Sequence, residues 1–235
     1  MPVLRDRRRQ PEWMDDPALA PEAHRHALAG LARLNRIADS AGALWRALRP
    51  TLEARIRRQP VRVLDLACGG GDVTLGLWQR ARRAKVPLAL TAWDASELAL
   101  TVARERAERL GAEIDWQCRD LLADPWPGEF DVVVSSLFLH HLEPTEAIAV
   151  LRRSASADTV RILDLARSRG GWCLARAGSA LCTRSPVVRC DGPRSVEGAF
   201  TVTEAEALAG AAGLVDARVG RCWPARWMLH WDRPH

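Results

Sequence analysis

Asp65 closes an apolar run rich in β-branched residues, and four positions later the chain reads Gly69-Gly70-Gly71 before a helical pattern opens. Strand, tight loop and helix in that order make a cradle for a small molecule. Glycine permits φ > 0 and close backbone approach, and a helix N-terminus presents unpaired N–H groups. The carboxylate selects among ligands: at that place it repels a pyrophosphate and suits a molecule carrying an ammonium group. A dinucleotide fingerprint also needs a third glycine where this chain has Thr74, so an NAD-linked oxidoreductase is disfavoured twice over. His140 and His141 are a second chemical feature, because imidazole serves as a general base near neutral pH. As neighbours at a strand end, the two are expected to point apart.

The string Asp65, Ala67, Gly69, Gly71 resembles the first motif, acid-x-G/A-x-G-x-G, of the class I (Rossmann-like) S-adenosylmethionine-dependent methyltransferases. S-adenosylmethionine carries the ammonium group that Asp65 suits. Further landmarks follow in the family's order: Asp94 at the end of a second strand, Asp120 after a third, and Leu137-Phe138-Leu139-His140-His141-Leu142 after a fourth, similar to the lHHl ending of many small-molecule methyltransferases. An acid near the second position is shared with dinucleotide folds. The resemblance implies that Asp94, with Ala95 beside it, accepts the ribose hydroxyls and that Asp120, with Leu121, meets the adenine amino group. Ser136 and Leu137 lie at a strand's carboxyl end, where open α/β sheets bind ligands, and are expected to meet the methionine part. Cys68, inside the glycine loop, joins the cofactor-binding set as a small apolar filler.

Asn35, Ser40, Gly42, Leu44 and Trp45 are loosely similar to a string in the ubiquinone/menaquinone-biosynthesis methyltransferases, with different gaps and without its tyrosine. The resemblance implies methyl transfer, at oxygen or carbon, to a hydrophobic small molecule: a hydroxylated aromatic, polyketide-like or quinone-like compound, as in secondary metabolism. His140 and His141 are the candidate catalytic residues. Arg189, Asp191 and Arg194 are candidate contacts to a polar acceptor. The alternatives are a nucleic-acid or protein methyltransferase, and a catalytically silent cofactor-binding module.

These residues need a doubly wound, Rossmann-like α/β fold to position them: a seven-stranded, mostly parallel sheet with an antiparallel last strand and an N-terminal helical cap. Apolar patterning predicts strands at 61–65, 88–93, 114–118, 130–136, 159–165, 215–221 and 226–231. Helices are expected from Pro21, around Leu44 to Leu52, over 73–83, from Glu143, and from a capping box at Thr203 and Glu206 to Gly213. Residues 1–17 are expected to form a disordered or extended tail, 18–58 the cap, and 59–235 the cofactor-binding domain. Within that domain, 168–200 is an acceptor-side insertion that includes an apolar stretch at 171–181 and a loop at 189–195.

A chain of 235 residues suffices for one such domain with a substantial core. The net charge is +5, but all basic residues except Lys85 are scattered arginines, a composition bias rather than a nucleic-acid footprint. The one dense run, Arg5 to Arg9, reads as a frayed tail rather than a phosphate-binding arm. The six cysteines include no CxxC pair and no His/Cys spacing for zinc, so no metal site is expected and the thiols are expected to be reduced. No segment approaches ~18 uninterrupted apolar residues and no secretory h-region is present. The expectation is a cytoplasmic enzyme, monomeric or homodimeric, acting on a small-molecule acceptor without nucleic acid or a membrane span.

Overall fold

The computed structural model describes residues 4–55, 59–126 and 130–234. Residues 1–3, 56–58, 127–129 and 235, parts of the expected tail, cap and domain, lie outside the described residues.

Two cap helices come first, α1 (Pro21–Ile37) and α2 (Ser40–Ala54). Proline at the first position of α1 has a preset φ and lacks only an N–H that would be orphaned anyway. In α2, Leu44, Leu48 and Leu52 recur at helical spacing and are fully buried. The alternating unit follows: β1 (Val61–Leu66), α3 (Asp72–Arg83), β2 (Leu88–Asp94), α4 (Glu97–Leu110), β3 (Asp115–Cys118), β4 (Val132–Ser136), α5 (Pro144–Ser154) and β5 (Thr159–Leu165). Helices α6 (Arg169–Cys182), α7 (Pro186–Gly198) and α8 (Val202–Ala211) precede the final strands β6 (Arg218–Cys222) and β7 (Arg226–Asp232).

The seven strands form one sheet in the order β3-β2-β1-β4-β5-β7-β6. β1 to β5 pair in parallel, and β7 runs antiparallel to both β5 and β6. Because β1 lies between β2 and β4, the winding direction reverses there, and that is where open α/β sheets leave a crevice. The strand alternation feeds two cores. Val63, Val132 and Val134 pack toward α2 and α3, whereas Leu64, Leu66, Val133 and Ile162 pack toward α5 and α8. Both sheet faces are covered, which is why β4 opens on a run of valines and β5 is buried along nearly its whole length, its Arg161 and Asp164 held by polar partners.

Several expected boundaries move. Residues 189–195 are not a loop but the middle of α7. Ser185 caps that helix, Pro186 opens it, and the burial of Val187, Val188 and Val196 outweighs the poor propensities of Gly192 and Pro193. The capping box belongs to Thr201 and Glu204 rather than Thr203 and Glu206, because Thr201 already has extended φ and ψ while Thr203 lies inside the helix. The helix accordingly ends before Gly213, whose φ of +84° makes the turn. Val215 is exposed and Asp216 has positive φ, so β6 starts at Arg218.

The basic run is a docked strap, not a frayed tail. Arg7 donates to the carbonyls of Gly198, His140 and Leu142 and stacks 4.0 Å over the Phe200 ring. These carbonyls end helical turns and have no partner within them, so the guanidinium satisfies acceptors that would otherwise be orphaned. Farther along the strap, Asp191 accepts from the backbone N–H of Trp13 and Met14, both at 3.0 Å.

Candidate active site

The glycine loop sits at the carboxyl ends of β1 and β2. Asp65 is fully buried, with one oxygen accepting from Thr74 Oγ1 at 2.5 Å and the other, Oδ1, lacking any hydrogen-bond partner. Burial pushes its carboxyl up to about 7; the charges of Asp72 and Asp94 add to this, and the Thr74 hydroxyl opposes it. Thr74 thus has a local role in the position where a dinucleotide loop needs glycine. Gly69 (φ +54°) and Gly71 (φ +72°) are both left-handed, for different reasons. A Cβ on Gly69 would meet nothing within 4 Å, so that face is open to a ligand, whereas on Gly71 it would stand 2.7 Å from the Trp116 ring.

The Gly69 N–H donates to Asp94 Oδ2 at 2.7 Å, and Ser96 N–H donates to Oδ1 at 2.9 Å, tying loop and second acid together. Each oxygen keeps a lone pair for a ligand hydroxyl. Burial raises the Asp94 carboxyl despite those two bonds. Ala67 (φ 55°) and Leu137 (φ 57°) are left-handed without being glycine, at the ends of the adjacent strands β1 and β4. Such conformations cost about 1–3 kcal/mol each and cluster at functional sites. The structure therefore gathers Asp65, Ala67, Cys68, Gly69, Gly71, Asp94, Ala95, Ser136 and Leu137 around the switch point. Asp120 and Leu121 follow β3, one strand further out. The Asp120 side chain is exposed and accepts from the N–H of Leu122 and Ala123, at 2.8 and 3.2 Å.

Helix α1 covers this edge. Leu28 packs with Ala99, Val102 and Met14, and Arg106 clamps helix to loop by donating to Gly70 O at 2.7 Å and Leu28 O at 3.3 Å. A surface cleft of about 500 Å³ lies on the outer side of α3, walled by Asn35, Arg36, Asp72 and Arg106. Neither Asp65 nor Asp94 lines it, and its one acid near the loop, Asp72, accepts from Asn35 Nδ2 at 3.0 Å, so the chemistry points to the covered edge and not to this cleft.

The histidine pair lies past the end of β4. It belongs to a short 3-10 turn, Leu139–His141, and not to a strand end, so the rings do not point apart but lie together with centroids 4.3 Å apart. A tighter helical turn brings successive side chains to neighbouring directions, which a pleated strand does not. His140 is buried with Nδ1 2.7 Å from Asp164 Oδ1, and Asp164 also accepts from the N–H of His140 and Leu165. With that carboxylate filled by donors, the His140 proton belongs on Nδ1. His141 Nδ1 lies 3.1 Å from Asp15 Oδ2 on the strap. Burial lowers the His141 pKa, but the Asp15 hydrogen bond and the charges of Glu12, Asp15 and Asp164 outweigh it and hold it up at about 9.

Arg189, Asp191 and Arg194 lie away from this group. Arg189 bonds the carbonyls of Thr183 and Ala180, Arg194 bonds that of Pro11, and Asp191 anchors the strap. Conversely, Glu12, Asp15, Arg106 and Asp164 escaped the sequence reading. Asp164 had a usable signal, an acid near the end of a strand like Asp65 and Asp94. Glu12 and Asp15 had none.

Residues 63–157 match the protein family described as methyltransferase domain. The demethylmenaquinone methyltransferase of Thermus thermophilus is 41% identical over 101 residues, 43% of this chain and 44% of that protein. The ubiquinone biosynthesis O-methyltransferase of Idiomarina loihiensis is 37% identical over 89 residues, 37% of this chain and 34% of that protein. The aligned part thus spans less than half the length of either relative. Among solved structures, the plantazolicin methyltransferase BpumL, in complex with a monoazolic desmethylPZN analog and SAH, superposes with a TM-score of 0.66 at 16% identity, covering 94% of this chain and 93% of that one. Magnesium protoporphyrin IX methyltransferase from Synechocystis PCC 6803 with bound SAM gives 0.55 at 18% identity, over 94% and 88% of the two chains. The acid-glycine motif lies within the stretch that matches the methyltransferase domain, and the strand order and the structural neighbours agree on a Rossmann-like fold around it.

Proposed function

We propose that the chain transfers the methyl group of S-adenosylmethionine to a hydrophobic small-molecule acceptor, a hydroxylated aromatic, polyketide-like or quinone-like compound, at oxygen or carbon. One observation carries the reading: a carboxylate oxygen of Asp65 is sealed from water with no donor, beside a left-handed glycine whose Cβ side is open. A buried acceptor left without a donor costs about 1–3 kcal/mol. An ammonium group removes that cost.

The residues fit the cofactor. Asp65 with Ala67, Cys68, Gly69 and Gly71 would hold its amino-acid end, and Asp94 with Ala95 its ribose. Asp120 and Leu121 would flank adenine, with Ser136 and Leu137 along the methionine chain. When bound, the sulfonium supplies an electrophilic methyl group with a good leaving sulfide. The protein's own contribution is alignment and exclusion of water, on the order of several kcal/mol of barrier. Helix α1, tied to the loop by Arg106, covers it, which serves that exclusion. His140, oriented by Asp164, stands past β4 as the candidate base for an acceptor hydroxyl, and His141, held as an imidazolium by Asp15, stands beside it as a positive charge that would favour the acceptor oxyanion. The quinone-pathway names of the relatives support a hydroxylated ring as acceptor.

Calorimetric titration with S-adenosylhomocysteine tests the cofactor half. One equivalent bound per chain is expected, and no binding removes the reading. Incubation with methyl-labelled S-adenosylmethionine and a panel of phenols, hydroxyquinones and polyketide-like enols, followed by mass spectrometry, then identifies the acceptor class and the methylated atom.

A further inference from the structure

Among the described residues, one group of metal-ligating side chains converges: Glu12, His140 and His141 each place a ligand atom within 4.8 Å of the others. Two of the three come from the turn after β4, and the third comes from the strap. From these residues we infer a site for a divalent first-row transition ion, of the Zn²⁺ or Fe²⁺ class, with positions left open for an oxygen ligand.

The ligand set selects the ion. Two imidazoles and one carboxylate suit zinc or non-haem iron, whereas magnesium and calcium take oxygen ligands and do not favour imidazole. Three protein ligands leave at least one position free, the arrangement of catalytic rather than structural sites. An ion with bonds of about 2.0 Å holds its ligands roughly 3.3 Å apart, so side-chain rotations of about an ångström close the set.

Each ligand is also held from behind. His140 Nδ1 is bonded to Asp164 and His141 Nδ1 to Asp15, which leaves Nε2 as the nitrogen each ring can offer. Metal-bound histidines carry such carboxylate partners on their other nitrogen, because these fix the tautomer and raise ligand basicity. Glu12 accepts from Ser195 Oγ at 2.6 Å, and Asp191 pins the residues that follow it. One buried and one partly exposed imidazole, both with Nδ1 on an acid, and a third acid within reach make a prepared ligand set, beyond what packing requires. The inference rests on and deepens the functional reading above: an acceptor hydroxyl taking the open position would lose its proton to solvent more readily on the ion, as bound water does, with the imidazoles acting as ligands and not as the base.

Metal uptake is measured on chelator-treated full-length protein without cofactor or acceptor. Co²⁺ is followed by its visible d–d absorption and Zn²⁺ by calorimetry. One equivalent per chain is expected, with affinity at least tenfold weaker in Glu12→Gln and in His141→Ala, and about tenfold weaker in Asp15→Asn, which would act only through His141. Thermal unfolding of metal-free samples identifies any variant that fails to fold, and Glu12→Gln, a neutral isostere on a half-exposed strap, is the conservative arm. The inference is overturned if the wild type takes up no ion, or if folded Glu12→Gln and Asp15→Asn bind as the wild type does. S-adenosylhomocysteine affinity measured in parallel separates the two ideas: its absence sinks the methyltransferase reading and leaves the metal site to stand or fall on its own titration.

Discussion

At the β1–β2 end of the carboxyl edge, Asp65, Gly69 and Asp94 belong to one strand-helix-strand unit, and the bonds from Gly69 to Asp94 and from Thr74 to Asp65 close within it. At the β4–β5 end, His140, His141 and Asp164 meet Glu12 and Asp15, which the strap delivers from the far end of the sequence. The first region is poised by an unmet need, a buried carboxylate oxygen with no donor. The second is already saturated on its inner side, with both imidazole Nδ1 atoms on carboxylates. The local acid-glycine unit can therefore keep its geometry while the strap is altered, whereas the histidine region depends on the strap being docked.

The largest expected effect contrasts the two glycines of the local region. Gly71→Ala forces a Cβ to 2.7 Å from Trp116 in a left-handed backbone and should cost about 3 kcal/mol of stability. Gly69→Ala meets open space and should cost only about 1 kcal/mol, all of it conformational. Urea unfolding of both variants checks this; equal losses would mean that Gly69 is packed as tightly as Gly71.

Asp65→Asn comes next. It removes the charge that would bind the ammonium group, so affinity for S-adenosylhomocysteine should fall at least tenfold, about 1.4 kcal/mol. The apo protein should be no less stable at pH 8, because a buried charge has been removed. Calorimetry and thermal melts together test the pair of signs, and a destabilised variant with unchanged affinity would contradict both.

The third prediction is the pH dependence of the same group. Burial raises the Asp65 carboxyl from 3.8 to about 7 in the folded apo state, so ionising it works against folding. The stability penalty is absent below pH ~4, grows as pH rises through the window up to about 7, and then levels off. Ligand binding needs the ionised form, so affinity for S-adenosylhomocysteine should rise with pH across about 7 and flatten above it. Asp65→Asn should abolish that rise.

Arg7→Ala is expected to have a small effect on folding and the smallest effect on ligand affinity. It frees three carbonyls near the surface, which costs about 1 kcal/mol. Limited proteolysis should cut the strap faster in this variant, while affinity for S-adenosylhomocysteine changes less than twofold. A large loss of affinity would show that the cofactor region leans on the strap after all.

The alternation of apolar strands and amphipathic helices, the acid-glycine string and the acids ending successive strands are written in neighbouring residues, so the fold and the meeting of the glycine loop with Asp94 could be read from the chain directly. Asp65, Gly69 and Asp94 meet because one strand-helix-strand unit can close in only one hand. Other features could not be read this way. Residues 189–195 carry glycine and proline and look like a loop, yet burial of Val187, Val188 and Val196 makes them helix. The arginines of the first residues look like a solvated tail, yet Arg7 finds three carbonyls that only the finished fold leaves unpaired. Glu12 and Asp15 have no spacing relation to His140 and His141. Local periodicity encodes what adjacent residues do to one another, whereas pairing across the chain follows from which polar groups the packed core strands without partners, and that is decided only when the layers are assembled.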